Sequence, residues 1–309
     1  MGRYVARRLL QMIPVFLGST LLVFLMMYAL PGDPVRALAG EQHVDATQIA
    51  ALKAQYGLDK PIWEQYLNYL GNLFQGDLGT QIGTQRPVAE VISDAYPITV
   101  RLAIFAFVFT VVAGISLGIV AGLKAESLRD RGLLGLTLVL ISMPSFVLGF
   151  LVQYLFAFQL GIAKPNVSLE PTNTELIMPA VVLASLSLAY VARLTRTSVA
   201  ENMRADYMRT AVAKGLPRRR VIGVHLMRNS LIPVVTFLGT DIGALMGGAI
   251  VTEGIFNIKG VGSLVFEALG KREGATVVGV VTLLVVVYLI CSLLVDLLYA
   301  VLDPRIRYA

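Results

Sequence analysis

The chain has 309 residues, 56% of them hydrophobic and only 15% charged, with a mean hydropathy of +0.72 and a formal net charge of +6. That composition excludes an ordinary soluble domain and places the chain among polytopic membrane proteins. The basic residues flank apolar stretches and are better explained as topology signals than as nucleic-acid contacts; a single cysteine, Cys291, excludes an intrachain disulfide, and two isolated histidines, His43 and His225, make no metal cluster.

Residues 9–30 carry no charge and at 1.5 Å per residue reach about 33 Å, enough to cross a bilayer. They follow Arg3, Arg7 and Arg8 in a layout that resembles a signal sequence. The run is too long for one and lacks a small-residue cleavage site, so residues 1–30 read as a retained transmembrane anchor. Residues 31–97 are too polar to span and too long for a bare connection. Within them Asp45 is placed to cap a helix running to about Tyr56, with Gly57 at its left-handed stop. Pro61 opens a second helix with Trp63, Tyr66, Leu67, Leu70, Leu73 and Phe74 on one face. That face suits packing on the membrane or the spans, and it also suits a docking surface for an external partner.

Residues 98–309 form a core with five more spans, at about 98–123, 133–160, 177–199, 231–252 and 275–302. The expected fold is therefore all-α with six transmembrane helices. Pro14, Pro144 and Pro179 lie within or at the start of spans and read as static bends. Arg193 and Arg196 are expected to snorkel to the inner interface. Gly239, Gly243, Gly247 and Gly248 offer close helix contact in the fifth span. Asp296 and Asp303 read as structural, with Arg305 near enough in sequence to pair. Asp241 falls near the middle of the fifth span, where a lone carboxylate costs about 2.5–3.5 kcal/mol on insertion scales and must face protein or water. It either lines a pathway or hydrogen-bonds a neighbouring helix or partner subunit.

Loop charges orient the spans. Residues 31–97 carry a net charge of −4, residues 193–230 a net charge of +7. The positive-inside rule puts 193–230 in the cytoplasm and 31–97 outside, with both termini cytoplasmic, in agreement with Arg3, Arg7, Arg8, Arg305 and Arg307. The cytoplasmic loop holds a short helical pattern from Asp206 to Lys214, stopped by Gly215 and Pro217. Tyr207, Thr210, Ala211 and Lys214 share a face, and Ala211 and Ala213 are small enough for another surface to approach. A helix of about nine residues is marginal alone in water and needs packing, on its own span ends or in a partner's groove. The alternative is a solvated charge run that sets topology.

At these residues the chain resembles the permeases of ABC importers. Arg209-Thr-Ala211 followed by Gly215 is similar to their Glu-Ala-Ala-x-x-x-Gly loop, with Arg209 in place of Glu and Arg228-Asn229 where the general motif ends in Leu-Pro. Both departures resemble the peptide/nickel branch, whose loop reads Asp-Tyr-x-Arg-Thr-Ala-x-Ala-Lys-Gly. Other stretches of the branch are matched in order: Tyr4 to Leu9, Leu30 to Pro34, Tyr56 to Asp59, Gly76 to Gly79, Thr252 to Phe256, Gly260 to Gly262 and Asp303 to Tyr308, with Lys259 where Pro is expected.

The resemblance implies a type I ABC importer permease fold in the inner cell membrane, the first of two paired permeases. Its coupling helix covers about 205–216, with Asp206, Tyr207, Arg209, Thr210, Ala211, Ala213, Lys214 and Gly215 meeting the ATPase. Asp241 would line the pathway and attract the amino end of a peptide, and Glu253, Phe256, Gly260 and Gly262 would form an outer loop motif. Implied partners are a second homologous permease, two ATPase subunits or a fused pair, an extracytoplasmic binding protein and membrane lipid. ATP and Mg²⁺ would sit on the ATPases, with no cofactor on this chain. Dipeptides or oligopeptides are the expected cargo, with nickel chelates or glutathione as alternatives. The absence of a nucleophile elbow, a Walker A motif and metal-ligand spacing points away from an enzyme. A secondary transporter or channel remains the reading from another class, though Asp241 stands nearly alone among buried ionisable groups.

Overall fold

The computed structural model describes residues 2–28 and 46–302. The expected cap at Asp45, the motif at 30–34 and the tail at 303–308, with Arg305 and Arg307, lie outside the described residues. Among those described there is no β-strand, only an isolated antiparallel bridge between Thr80 and Pro87. A helix satisfies its own backbone polar groups, as a chain in lipid must.

The helices are α1 (Gly2–Tyr28), α2 (Ala46–Gln55), α3 (Ile62–Phe74), α4 (Val88–Phe109), α5 (Ile115–Gly122), α6 (Leu128–Ser142), α7 (Ser145–Gln153), α8 (Ile177–Met203), α9 (Asp206–Ala213), α10 (Arg218–Arg220), α11 (Met227–Ser230), α12 (Ile232–Phe256), α13 (Val261–Gly270) and α14 (Gly274–Leu302). π-Helical turns at Thr110–Gly114, Tyr154–Gln159 and Val221–Leu226 join or extend some of them. Among the described residues four stretches are long and apolar enough to cross a membrane as single helices: Tyr4–Tyr28, Val88–Gly122, Ile177–Met203 and Gly274–Leu297.

The third expected span is bent. Leu128–Ser142 and Ser145–Gln159 meet at 107°, where Pro144 ends the first helix and serves as N-cap of the next. The missing proline N–H and the ring clash stop the helix there. The fifth expected span is α12, which follows the preceding helical stretch across a 51° bend. Length and composition thus admit four spans, or up to seven if each bent pair counts as one, and the expected six falls within that range.

The chain divides into two compact units, residues 1–99 with 259–293 and residues 100–258 with 294–309. In the first, Val88, Ile92, Val261, Val265 and Val280 form the core, and the Val261 N–H donates to Thr99 Oγ1 at 2.9 Å. α2 stops before Gly57, whose φ of +64° is the left-handed turn read from the sequence. α3 packs on α1 through Phe24, whose ring centroid lies 5.4 Å from that of Tyr66 and 5.8 Å from that of Tyr69.

The second unit is built on α8, about half of whose apolar residues are buried. Gly114, Gly118 and Gly122 form a stripe along the adjoining helix, a packing surface missing from the expectations above. A Cβ at Gly118 would lie 2.5 Å from Thr195 Cβ and 2.6 Å from the Ala192 carbonyl oxygen. In α12 the expected close contact holds at Gly239, where a Cβ would lie 2.6 Å from Val295 Cγ2, but Gly247 faces open space.

Arg196 is not a snorkelling residue. Its Nε donates to Asp130 Oδ1 at 2.7 Å and its Nη2 to Oδ2 at 2.5 Å, and the Glu126 N–H donates to Oδ2 at 2.8 Å. Asp130 is 1% exposed. A carboxylate in bidentate reach is a strong partner for a planar guanidinium.

Candidate functional site

α9 is a short helix fixed at both ends. Ala205 is extended and precedes it, and the Asp206 carboxylate in the first turn favours the helix dipole. The Tyr207 hydroxyl donates to Asn202 Oδ1 at 2.6 Å, and Asn202 Nδ2 donates to the Ser198 carbonyl at 2.8 Å, tying the start of α9 to the last turns of α8. At the other end Gly215 has a φ of +73°. Its N–H donates to the Val212 carbonyl at 2.9 Å and the Leu216 N–H to the Ala211 carbonyl at 3.4 Å. These two bonds are the Schellman pattern, with Pro217 just beyond it.

Periodicity offers a face of Tyr207, Thr210, Ala211 and Lys214, and the structure divides it. Ala211 is buried with Met208 against Val199, Val221 and Leu226 of the same chain, and Tyr207 is half-buried beside them. Asp206, Arg209, Thr210, Val212, Ala213, Lys214 and Gly215 are exposed. The exposed side adjoins a groove of about 640 Å³ with Met203, Met208, Val212, Leu216, Val221 and Ile222 among its lining and Arg209 and Arg218 beside them. Met208, Val212 and Arg218 were not singled out from the sequence, although Met208, Val212 and Leu216 stand four apart in a largely polar loop. The surface is an apolar depression with a basic edge: it can take an apolar projection from a partner whose own edge is acidic.

Asp241 on α12 is 6% exposed. The Ser187 hydroxyl on α8 donates to its Oδ1 at 2.7 Å, while Oδ2 is buried without a hydrogen-bond partner. The carboxylate is therefore held by a neighbouring helix of its own chain. A buried acceptor left without a donor is costly.

The outer-motif residues are all buried. Glu253 and Phe256 are fully buried near the end of α12; the Glu253 carbonyl accepts from the Ile258 N–H at 2.9 Å, and the Phe256 carbonyl from the Val167 N–H at 3.0 Å. Asn257, at φ +52°, turns the chain out of the helix. Gly260 is the extended residue before α13, and Gly262 is buried in that helix's first turn. Sequence reasoning missed the loop that Val167 belongs to. There Glu175 accepts from Lys164 Nζ at 2.8 Å, Ser168 Oγ at 2.6 Å and the Ser168 N–H at 3.1 Å, and these donors pull its carboxyl down to about 2. Arg101 Nη2 donates to the Pro171 carbonyl and to Asn173 Oδ1. No group of three or more metal-ligating side chains occurs among the described residues.

Comparison with known proteins places these features in a family. Residues 114–308 match the family described as binding-protein-dependent transport system inner membrane component, and residues 1–103 match the model of its N-terminal part. The chain is 38% identical to the dipeptide transport system permease protein of Escherichia coli K12, over 100% of this chain and 99% of the relative. It is 37% identical to the di/tripeptide transport system permease protein of Pseudomonas aeruginosa, over 99% and 98%. It is 39% identical to the glutathione transport system permease protein of Salmonella typhimurium, over all of both chains.

Proposed function

This chain belongs to the family of inner-membrane components of binding-protein-dependent transport systems, and we propose that it is one of two permease subunits of an ATP-driven importer of dipeptides or oligopeptides. An extracytoplasmic binding protein delivers the peptide, this chain and a second homologous permease enclose the path, and two ATPase subunits or a fused pair hold ATP and Mg²⁺. Both termini are cytoplasmic, and the chain itself carries out no hydrolysis. The observation that carries the reading is α9. Its buried side is locked to α8, and its free side combines exposed Arg209, Thr210, Ala213 and Lys214 with an apolar groove.

In this reading ATP binding closes the ATPases, and α9 passes their movement to the spans. The requirement is that the closed ATPases contact one permease conformation better than the other, because a ligand shifts an equilibrium only by its differential affinity. Arg209, Thr210, Ala213, Lys214 and the apolar Val212 supply that contact, and Ala211 holds the helix on its own chain. Asp241 lies beside the path and attracts the amino end of the cargo.

A second cargo, glutathione, is supported by alignment length. The glutathione relative aligns over 310 positions, end to end with this chain, whereas the E. coli dipeptide relative aligns over 337. Uptake measured with defined dipeptides, longer peptides, glutathione and nickel identifies the cargo. The coupling role is tested by Gly215→Val, which forces a β-branched residue to a φ of +73°. The expected outcome is loss of uptake with hydrolysis uncoupled, or loss of the ATPase on purification. Normal uptake together with normal co-purification refutes it.

A further inference from the structure

α3 carries an apolar arc whose two halves have different environments. One half turns to the spans of its own unit. The Tyr66 hydroxyl donates to the Leu17 carbonyl at 3.0 Å and lies 3.0 Å from Thr20 Oγ1, both on α1; the Tyr69 hydroxyl lies 2.7 Å from Thr282 Oγ1 on α14. The other half is bare. Trp63, Leu67 and Phe74 are 64%, 58% and 81% exposed, and their spacing sets them in one line along the helix. On the polar side, Gln65, Asn68 and Asn72 line a cavity of about 160 Å³ together with Tyr56 and Asp77.

Two registers give the depth of this helix. A Cβ at Gly274 would lie 2.9 Å from Tyr28 Cζ, so the end of α1 and the start of α14 stand side by side. Leu17 is eleven residues from Tyr28, and Thr282 eight from Gly274. At 1.5 Å per residue these positions lie about 16 and 12 Å along their helices from that shared end. Half the hydrocarbon thickness of a bilayer is about 15 Å. The span-facing side of α3 is thus anchored well below the ends of two membrane helices, by two hydroxyl groups on different partners. With 13 residues, α3 is too short to cross. Its polar arc opposite the apolar one suits a helix lying along the plane of the membrane. The adjoining α1 is only 11% buried over its apolar window, so the same unit already presents a large bare apolar surface at this depth.

We propose that α3 is an in-plane membrane helix, with the Trp63, Leu67 and Phe74 ridge immersed among lipid acyl chains and the Gln65, Asn68 and Asn72 face turned toward the polar cavity. That the leaflet is the outer one rests on the topology proposed above; the immersion rests only on α1 and α14 being membrane spans.

The test uses single cysteines at Trp63, Leu67, Phe74 and, as a polar-face control, Asn68, in a Cys291→Ser background. Each is nitroxide-labelled in the full chain, reconstituted into phospholipid vesicles with the subunits that co-purify with it. Collisions with oxygen, which partitions into lipid, are compared with collisions with an aqueous nickel chelate. Oxygen should exceed nickel several-fold at Trp63, Leu67 and Phe74, and the order should reverse at Asn68. High nickel access along the ridge would make it a water-exposed face, and low access to both reagents would mean a protein covers it; either result overturns the proposal. Adding the chelate to one side of sealed vesicles and reading Asn68 reports the sidedness separately.

Discussion

The Asp130–Arg196 pair makes the most quantitative prediction. The carboxylate side chain is 2% exposed and the guanidinium 23%, and the pair is bidentate. Replacing one partner of a buried pair leaves the other charge uncompensated and costs about 3–5 kcal/mol. Arg196 keeps some access to water, which puts Asp130→Ala at the lower end, about 3 kcal/mol. Alanine also strips the acceptor from the Glu126 N–H, so Asp130→Asn, which retains an acceptor, separates loss of charge from loss of that bond. The assay is a double-mutant cycle on the purified chain, with Asp130→Ala, Arg196→Ala and both together followed by reversible unfolding in denaturing detergent. The coupling energy should exceed about 2 kcal/mol, because the double variant no longer strands a charge. A coupling below about 1 kcal/mol, the range of exposed pairs, would refute the assignment of a buried, structure-holding ion pair.

Three more outcomes are expected. Gly118→Ala drives a methyl group toward Thr195 Cβ and the Ala192 carbonyl, at 2.5 and 2.6 Å, and should destabilise the chain by about 1–3 kcal/mol in the same unfolding assay; Gly247→Ala, which meets nothing within 4 Å, should stay within about 0.5 kcal/mol. Glu175 is held at about 2 against an ordinary 4.5 by Lys164 and Ser168. Its folded pKa is the lower one, so its contribution is complete above about pH 4.5 and disappears as pH falls through about 2. Pepsin cleavage within 160–176 should therefore rise toward pH 2 in the natural chain, and Glu175→Gln should abolish that pH dependence while raising cleavage at pH 4.5. Asp241→Asn keeps an acceptor for Ser187 and should change uptake differently for peptides of different charge; unchanged uptake across such a set removes Asp241 from substrate handling.

The positions and order of the spans were legible because run length and hydropathy act locally. Each expected span coincides with a helix or a bent pair, and Gly57 and Gly215 turn where a left-handed stop was read. What was not legible depends on partners distant in sequence. Gly114, Gly118 and Gly122 recur every fourth residue in an apolar run, a pattern visible beforehand, yet only the position of α8 makes it a contact. Asp130 and Arg196 are 66 residues apart, and neither alone announces the other. Pro144 marks where a helix must break, but the 107° angle is set by what the two halves pack against. In α9 the period identifies Ala211 and Thr210 as neighbours, whereas burial separates them, because Met208 and Ala211 fill one apolar cluster with Val199 and Leu226.

That division of α9 bears on how a loop so short would transmit force in the proposed coupling role. A helix of eight residues would not hold its shape in water. Here the apolar cluster with Val199 holds its middle, the Tyr207–Asn202–Ser198 chain its start and the paired bonds around Gly215 its end. Val199, Asn202 and Ser198 all lie in the last turns of α8. Displacing α9 relative to α8 would open that cluster and break those bonds, whereas moving the two together leaves them intact. The less costly response to a push on Arg209 or Lys214 is therefore movement of the α8 end itself. Just above it Arg196 is clamped to the first turn of α6 and Thr195 is pressed against Gly118 of α5. In the proposed coupling role a local push would thus reach two further helices through close contacts, and the small residue at 118 and the ion pair at 130 would belong to the same mechanical path as the loop.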